Sequence, residues 1–112
     1  MSKFMLLLHN DPAASARKDP EALKQRAEKY MAWGTQPFVA DGKRLGDDTG
    51  RVIRNQNGGP KMMDGPYSET KEVLAGYYTI EAQNYDEAVR IASTNPHLEY
   101  GGTIEVRHVY GT

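Results

Sequence analysis

The sequence predicts a ferredoxin-like α+β domain, an antiparallel sheet with two helices on one face. Three observations predict it. A continuous apolar run opens the chain, two helix starts carry recognisable caps, and an alternating strand closes it. The elements read in the order β-α-β(β-hairpin)-β-α-β. With right-handed crossovers, two such halves interleave into one sheet. The 112 residues fit one domain spanning residues 1–112.

Phe4-Met5-Leu6-Leu7-Leu8 is apolar throughout and stops sharply at His9-Asn10-Asp11-Pro12. It reads as a strand buried on both faces, with Phe4, Leu6 and Leu8 pointing one way and Met5, Leu7 and His9 the other. One layer of helices covers only one face of a sheet. The other face needs a second cover, and a copy of the chain is the simplest source, so a homodimer is expected.

Asp19-Pro20-Glu21 is a helix start: an N-cap, a proline at the first helical position and an acid in the first turn. Leu23, Ala27, Tyr30, Met31 and Gly34 then mark one helical face, giving a first helix over residues 20–33. Phe38-Val39-Ala40 before Asp41-Gly42 is a short strand. Residues 51–54 and 61–64 form two more, joined by the turn Asn55 to Pro60, so this region reads as a β-hairpin. Residues 73–81 are a longer strand. Asn84 and Glu87 make a capping-box-like pair, after which Tyr85, Ala88, Val89 and Ala92 mark a second helix ended by Asn95-Pro96. Gly101-Gly102 is a turn. In the last strand, residues 103–110, Ile104, Val106, His108 and Tyr110 alternate with Thr103, Glu105, Arg107 and Val109.

Composition narrows the function classes. Lys and Arg total 14 against 15 Asp and Glu, so no basic field concentrates phosphates and nucleic acid is not an expected partner. Cysteine is absent, which removes disulfides, thiolate metal sites and cysteine nucleophiles, and leans toward a reducing compartment. The opening apolar run is too short for a signal peptide or membrane span, so no membrane partner and a cytoplasmic location are expected. The hydrophobic fraction is 38% and the mean hydropathy −0.71, both low for a self-sufficient core of this length. That again favours a partner copy.

The stretch Asp64-Gly65-Pro66-Tyr67-Ser68-Glu69-Thr70-Lys71-Glu72 resembles the signature of the DGPF branch of the YCII-related proteins, Asp-Gly-Pro-Phe-Ala-Glu-x-Lys-Glu, departing only at Tyr67 and Ser68. Further matches run through Lys3-Phe4-Met5-Leu6-Leu7-Leu8, Gly76-Tyr77-Tyr78, Asp86-Glu87-Ala88 and Gly101-Gly102-Thr103-Ile104-Glu105-Val106-Arg107. The resemblance implies a dimeric α/β-barrel, two sheets facing each other across a cleft. It implies no reaction. Some relatives are encoded beside extracytoplasmic-type sigma factors, which makes such a factor one partner suggested by association. The YCII proteins proper are linked to acid–base chemistry through a His on the first helix and an Asp before the Pro after the second. Here residues 20–33 hold no His, and Asn95 stands before Pro96. An amide does not exchange a proton near neutral pH, so that dyad is missing.

Topology picks out the candidate site. The carboxyl end of the first strand, at His9, should meet the start of the last near Thr103, with His97 in the loop just before it. The third long strand starts at the same end, directly after the DGPF loop. His9, Asp11, His97, Glu69 and Glu72 can therefore gather there, while His108 lies toward the other end. Asp64, Glu69 and His9 are the candidate catalytic groups; Asp64, Glu69, Lys71, Glu72, His97 and Arg107 are candidate ligand contacts. Asp64 also suits a turn, accepting backbone N–H bonds two residues on. Each histidine otherwise reads as a surface or loop side chain with one hydrogen bond. Glu105 and Arg107 read first as a rim ion pair, second as a cleft cation for an anionic ligand. Trp33, Tyr77 and Tyr78 read as core or interface aromatics. No spacing suggests a metal or a cofactor. A homodimer binding an unidentified small molecule is the leading function. A cofactor-independent lyase or isomerase and an accessory partner of a sigma factor are the alternatives.

Overall fold

In a computed structural model, which describes residues 1–11, 19–48, 50–65 and 72–112, the opening apolar run forms β1 (Ser2–Asn10). After it come α1 (Pro20–Gly34), β2 (Val39–Arg44), β3 (Arg51–Gln56), β4 (Gly59–Asp64) and β5 (Val73–Ala82). α2 (Tyr85–Ala92), α3 (Pro96–Glu99) and β6 (Thr103–His108) complete the chain. This is an α+β fold with a mostly antiparallel sheet. Four strands lie in the order β2-β5-β1-β6, every pairing antiparallel, while β3 and β4 form a separate two-stranded sheet.

The caps behave as their sequences dictate. Asp19 Oδ1 accepts from the Ala22 N–H at 2.8 Å and starts α1 beside Pro20. Asn84 Oδ1 accepts from the Glu87 N–H at 2.9 Å, and Glu87 Oε1 accepts from the Gln83 N–H at 3.1 Å. The β3–β4 turn narrows to Asn57-Gly58, with φ of 53° and 85°. Two successive positive φ values demand an Asn-Gly pair of this kind, which matches the twist of the flanking strands.

The core follows the alternation of β1 and β5. Phe4, Leu6 and Leu8 lie opposite Ile80, Tyr78 and Gly76, so their side chains share a face. They cluster with Ala82, Trp33 of α1, and Ala88 and Ala92 of α2. Trp33 packs edge-on against Tyr78 and Phe38, with ring centroids 4.8 and 5.5 Å away, and donates its indole N–H to Thr94 Oγ1 at 3.0 Å. The Tyr78 hydroxyl donates to the Tyr30 carbonyl at 2.8 Å, and burial pushes its pKa up to about 12. It therefore stays a donor at every physiological pH. Ile104 and Val106 of β6 pack on the same cluster.

Four expectations need correction. The buried residue of α1 is Trp33, whereas Leu23 and Met31 are 48% and 72% exposed. The helix docks mainly through its last turns, and a 3.6-residue pattern drawn along its whole length misplaces the face. Tyr85 and Val89 of α2 are likewise half-exposed, although the Tyr85 ring still meets Phe4 edge-on at 4.9 Å; Ala88 and Ala92 are the buried residues of this helix. Finally, Asn95-Pro96 does more than end a helix: Asn95 is the N-cap and Pro96 the first residue of α3. The last strand also ends at His108, with Tyr110 outside it and 99% exposed.

Candidate functional site

His97 is the most constrained titratable side chain at the end of the sheet where β1 finishes. Its ring is 1% exposed. Nε2 lies 2.9 Å from the His9 carbonyl oxygen, and Nδ1 lies 2.7 Å from the Tyr30 hydroxyl. A carbonyl only accepts, so Nε2 carries the proton; Nδ1 must then accept from Tyr30. The neutral ring is thus fixed in one tautomer. Burial lowers its pKa below the ordinary value and the Arg26 guanidinium lowers it further, while the His9 carbonyl and Glu72 act in the opposite direction. Gly102 is part of the same construction: a Cβ there would sit 2.1 Å from His97 Nε2, so only glycine lets the ring approach the backbone. The expectation of a surface or loop histidine with one hydrogen bond fails for His97, because α1, α3 and the end of β1 close over it.

α1 and α3 are held together beside this ring. The Arg26 guanidinium lies 4.7 Å from the Tyr100 ring centroid, and Lys29 Nζ pairs with Glu99 at 2.6 Å. Tyr30 and Tyr100 stack with centroids 6.3 Å apart.

On the other side of β1, the His9 side chain is half-buried and its Nε2 lies 3.2 Å from Glu105 Oε1. The second oxygen of that carboxylate accepts from Arg107 Nη1 at 3.3 Å. A carboxylate accepts only, so this contact makes His9 Nε2 the donor and turns Nδ1 into the lone-pair side of the ring. The register places His9 opposite Thr103, Leu7 opposite Glu105 and Met5 opposite Arg107. On β5, Leu7 meets Tyr77 and Met5 meets Thr79. This face therefore carries a central apolar stripe, Met5, Leu7 and Tyr77, flanked by His9, Glu105 and Arg107. The Tyr77 hydroxyl donates to Asp41 at 3.0 Å, and that bond raises its pKa.

The structure brings His9 and His97 to one backbone carbonyl, with Glu72 close enough to be felt by the His97 ring. Asp64 sits at the end of β4, exposed, with its carboxylate 3.6 Å from Arg51 across the hairpin. Glu69 and Lys71 lie outside the described residues, as does the backbone two residues beyond Asp64. Among the described residues no cluster of three His, Asp or Glu could hold a metal ion, and no helix is long and apolar enough to cross a membrane. Tyr30 is the site residue that sequence reasoning passes over. Its apolar helical spacing reads as plain core, and nothing local marks its hydroxyl for a histidine 67 positions away.

Comparison with protein families matches residues 2–111 to the YCII-related domain. The chain belongs to the YCII-related family. It is also 31% identical over 114 aligned residues to an uncharacterized protein of Rhizobium meliloti, an alignment covering 93% of this chain and 89% of that one. Within this YCII-related chain, Asn95 occupies the place expected for the dyad carboxylate. It is 3% exposed, its Oδ1 accepts from the His97 N–H at 2.8 Å, and its Nδ2 has no hydrogen-bond partner among the described residues. Asn95 thus acts as the cap that sets the backbone of His97.

Proposed function

We propose that this YCII-related chain is a ferredoxin-like protomer of the DGPF branch that pairs with a second copy through its helix-free sheet face, as a dimeric α/β-barrel, and binds a small molecule in the cleft between the two sheets. The Asp64-to-Glu72 stretch supports the branch. The strand order β2-β5-β1-β6 and the single core cluster containing Trp33, Ala88 and Ala92 support both helices covering one face.

The observation that carries the reading is the character of the opposite face. Met5, Leu7 and Tyr77 are only half-buried there, and at one end Glu105 holds both His9 and Arg107. An apolar floor with a few convergent polar groups is what a small-molecule cleft requires. An interface of this kind should bury roughly 1,600 Å² or more in total. Light scattering at micromolar concentration is expected to give twice the chain mass; a monomer there sinks the dimer. A thermal-shift screen of small organic acids is expected to return at least one stabilising compound whose effect disappears in Arg107→Ala. Equal responses from both proteins would remove Arg107 from the site.

A second reading is favoured by one contact. With Glu105 accepting from His9 Nε2, Nδ1 of the neutral ring is the nitrogen that can take a proton from a bound substrate, the arrangement of a general base with its orienting carboxylate. The chain is then a cofactor-independent lyase or isomerase. For any turnover found, His9→Gln is expected to lower kcat by about 100-fold or more. Full activity in that variant rules this reading out.

A further inference from the structure

We infer that His97 is a clamp that regulates the His9 end of the sheet: while its ring is neutral it ties the last residues of β1 to α1, and when the ring becomes charged the tie is released. The inference rests on reading the His9–Glu105–Arg107 end as the ligand site, but its test does not use a ligand.

The geometry is a chain of three groups. The Tyr30 hydroxyl donates to Nδ1 at 2.7 Å, and Nε2 donates to the His9 carbonyl at 2.9 Å. One aromatic ring therefore spans from a helix to the strand residue whose side chain reaches Glu105. The strand is already weakened here, because the β1–β5 register shifts between Leu8 and His9. An irregular strand end has fewer ladder bonds of its own, so an external tie has more influence on its position.

The clamp depends on charge because Nδ1 is an acceptor. Nε2 donates to the His9 carbonyl in either charge state, so what opposes a second proton is the 1% exposure of the ring and the Tyr30 hydroxyl, which would have to turn from donor to acceptor. Its new direction is constrained, since Arg26 Nη2 already donates to that oxygen at 3.4 Å. The groups that face the ring from the surrounding elements are Arg26 and Tyr30 of α1, His9 of β1 and Glu72 before β5. Beyond them, Lys29 and Glu99 neutralise each other at 2.6 Å. Burial and Arg26 oppose an imidazolium; the His9 carbonyl and the Glu72 carboxylate favour it. A charged ring would lie at a 1% exposed position near a guanidinium. Retreat from the buried position is then the favourable response.

The experiment is amide hydrogen exchange by NMR between about pH 7.5 and 5, corrected for intrinsic rates, with the charge of each histidine ring read from its nitrogen shifts. Protection of Leu8, His9, Asn10 and Thr103 is expected to fall about five- to tenfold as His97 charges, the equivalent of one hydrogen bond lost, while Phe4 and Leu6 keep theirs. His97→Gln supplies a donor that cannot be charged, and its strand end should show no step. Tyr30→Phe keeps His97 but removes the hydroxyl that favours the neutral ring, so the step should move to higher pH. Protection that persists with His97 charged, a step retained in His97→Gln, or a step unmoved in Tyr30→Phe each overturns the clamp. Failure of the organic-acid screen would instead overturn the ligand site and leave these exchange results standing.

Discussion

Along β1, neighbouring residues live in two environments. Phe4, Leu6 and Leu8 are at most 4% exposed, sealed against Trp33, Tyr78 and Ile80. Met5 and Leu7, one position away, stay half-buried beside Thr79 and Tyr77. Both sets are large and apolar, so residue type alone does not separate them. What differs is the layer above: one side meets helical side chains, the other carries none of the core cluster. The apolar groups on the second side hold stabilisation still available for association.

Substitutions on the two faces should therefore differ in what they damage. Leu6→Ala is expected to have the largest effect, about 2–5 kcal/mol of folding stability by denaturant titration, because a fully buried side chain leaves a cavity. Gly102→Ala comes next. Its methyl would overlap the His97 ring, and the forced shift should cost about 1–3 kcal/mol in the same titration. Leu7→Ala should cost less folding stability than Leu6→Ala but raise the concentration at which a dimer dissociates, read by sedimentation. If Leu7→Ala destabilises folding as much as Leu6→Ala, the two faces are energetically equivalent and the comparison breaks. Arg107→Ala should change folding by no more than about 0.5 kcal/mol, since its ion pair with Glu105 is solvent-exposed.

Acid sharpens the contrast at the end of the sheet. The pKa of His97 is lowered in the folded chain from an ordinary 6.5, so the unfolded chain binds its proton first. The stability contributed by the neutral, buried ring is complete above pH 6.5 and is lost as the pH falls from there through the folded-state value. Denaturant midpoints for the protein and for His97→Gln should diverge between neutral pH and mild acid. Parallel curves would mean that the ring takes up its proton in the fold just as it does in the unfolded chain.

Much of this fold could be read in advance, and the reasons are local. Asp19-Pro20 and Asn84-x-x-Glu87 cap helices through bonds to residues three or four positions away, so their partners sit in the same stretch of sequence. The strands are legible for the same reason: alternation is a property of neighbours. The burial of Trp33 and the exposure of Leu23 and Met31 are decided by which part of α1 finds something to dock on, and that lies elsewhere in the chain. His97 is the extreme case. It stands in a short polar segment, and its burial depends on Tyr30, the end of β1 and a glycine five residues later. Topology alone predicts that His9 and His97 approach each other. The hydrogen bond to the His9 backbone, which leaves its side chain to Glu105, requires coordinates.

The margins of the four-stranded sheet bear on how copies of this chain can meet. β2 and β6 are its outer strands. β2 breaks register with β5 between Val39 and Asp41 and continues as Asp41-Gly42-Lys43-Arg44. β6 places Glu105 and Arg107 among its six residues. A newcomer would have to match a broken ladder at β2 and would meet charged side chains at both borders, which makes each a poor template for another strand. Growth of the sheet into open-ended ribbons is thereby discouraged at both borders. The proposed pairing of face against face would avoid both borders, and a contact of that symmetric kind closes after two copies instead of propagating.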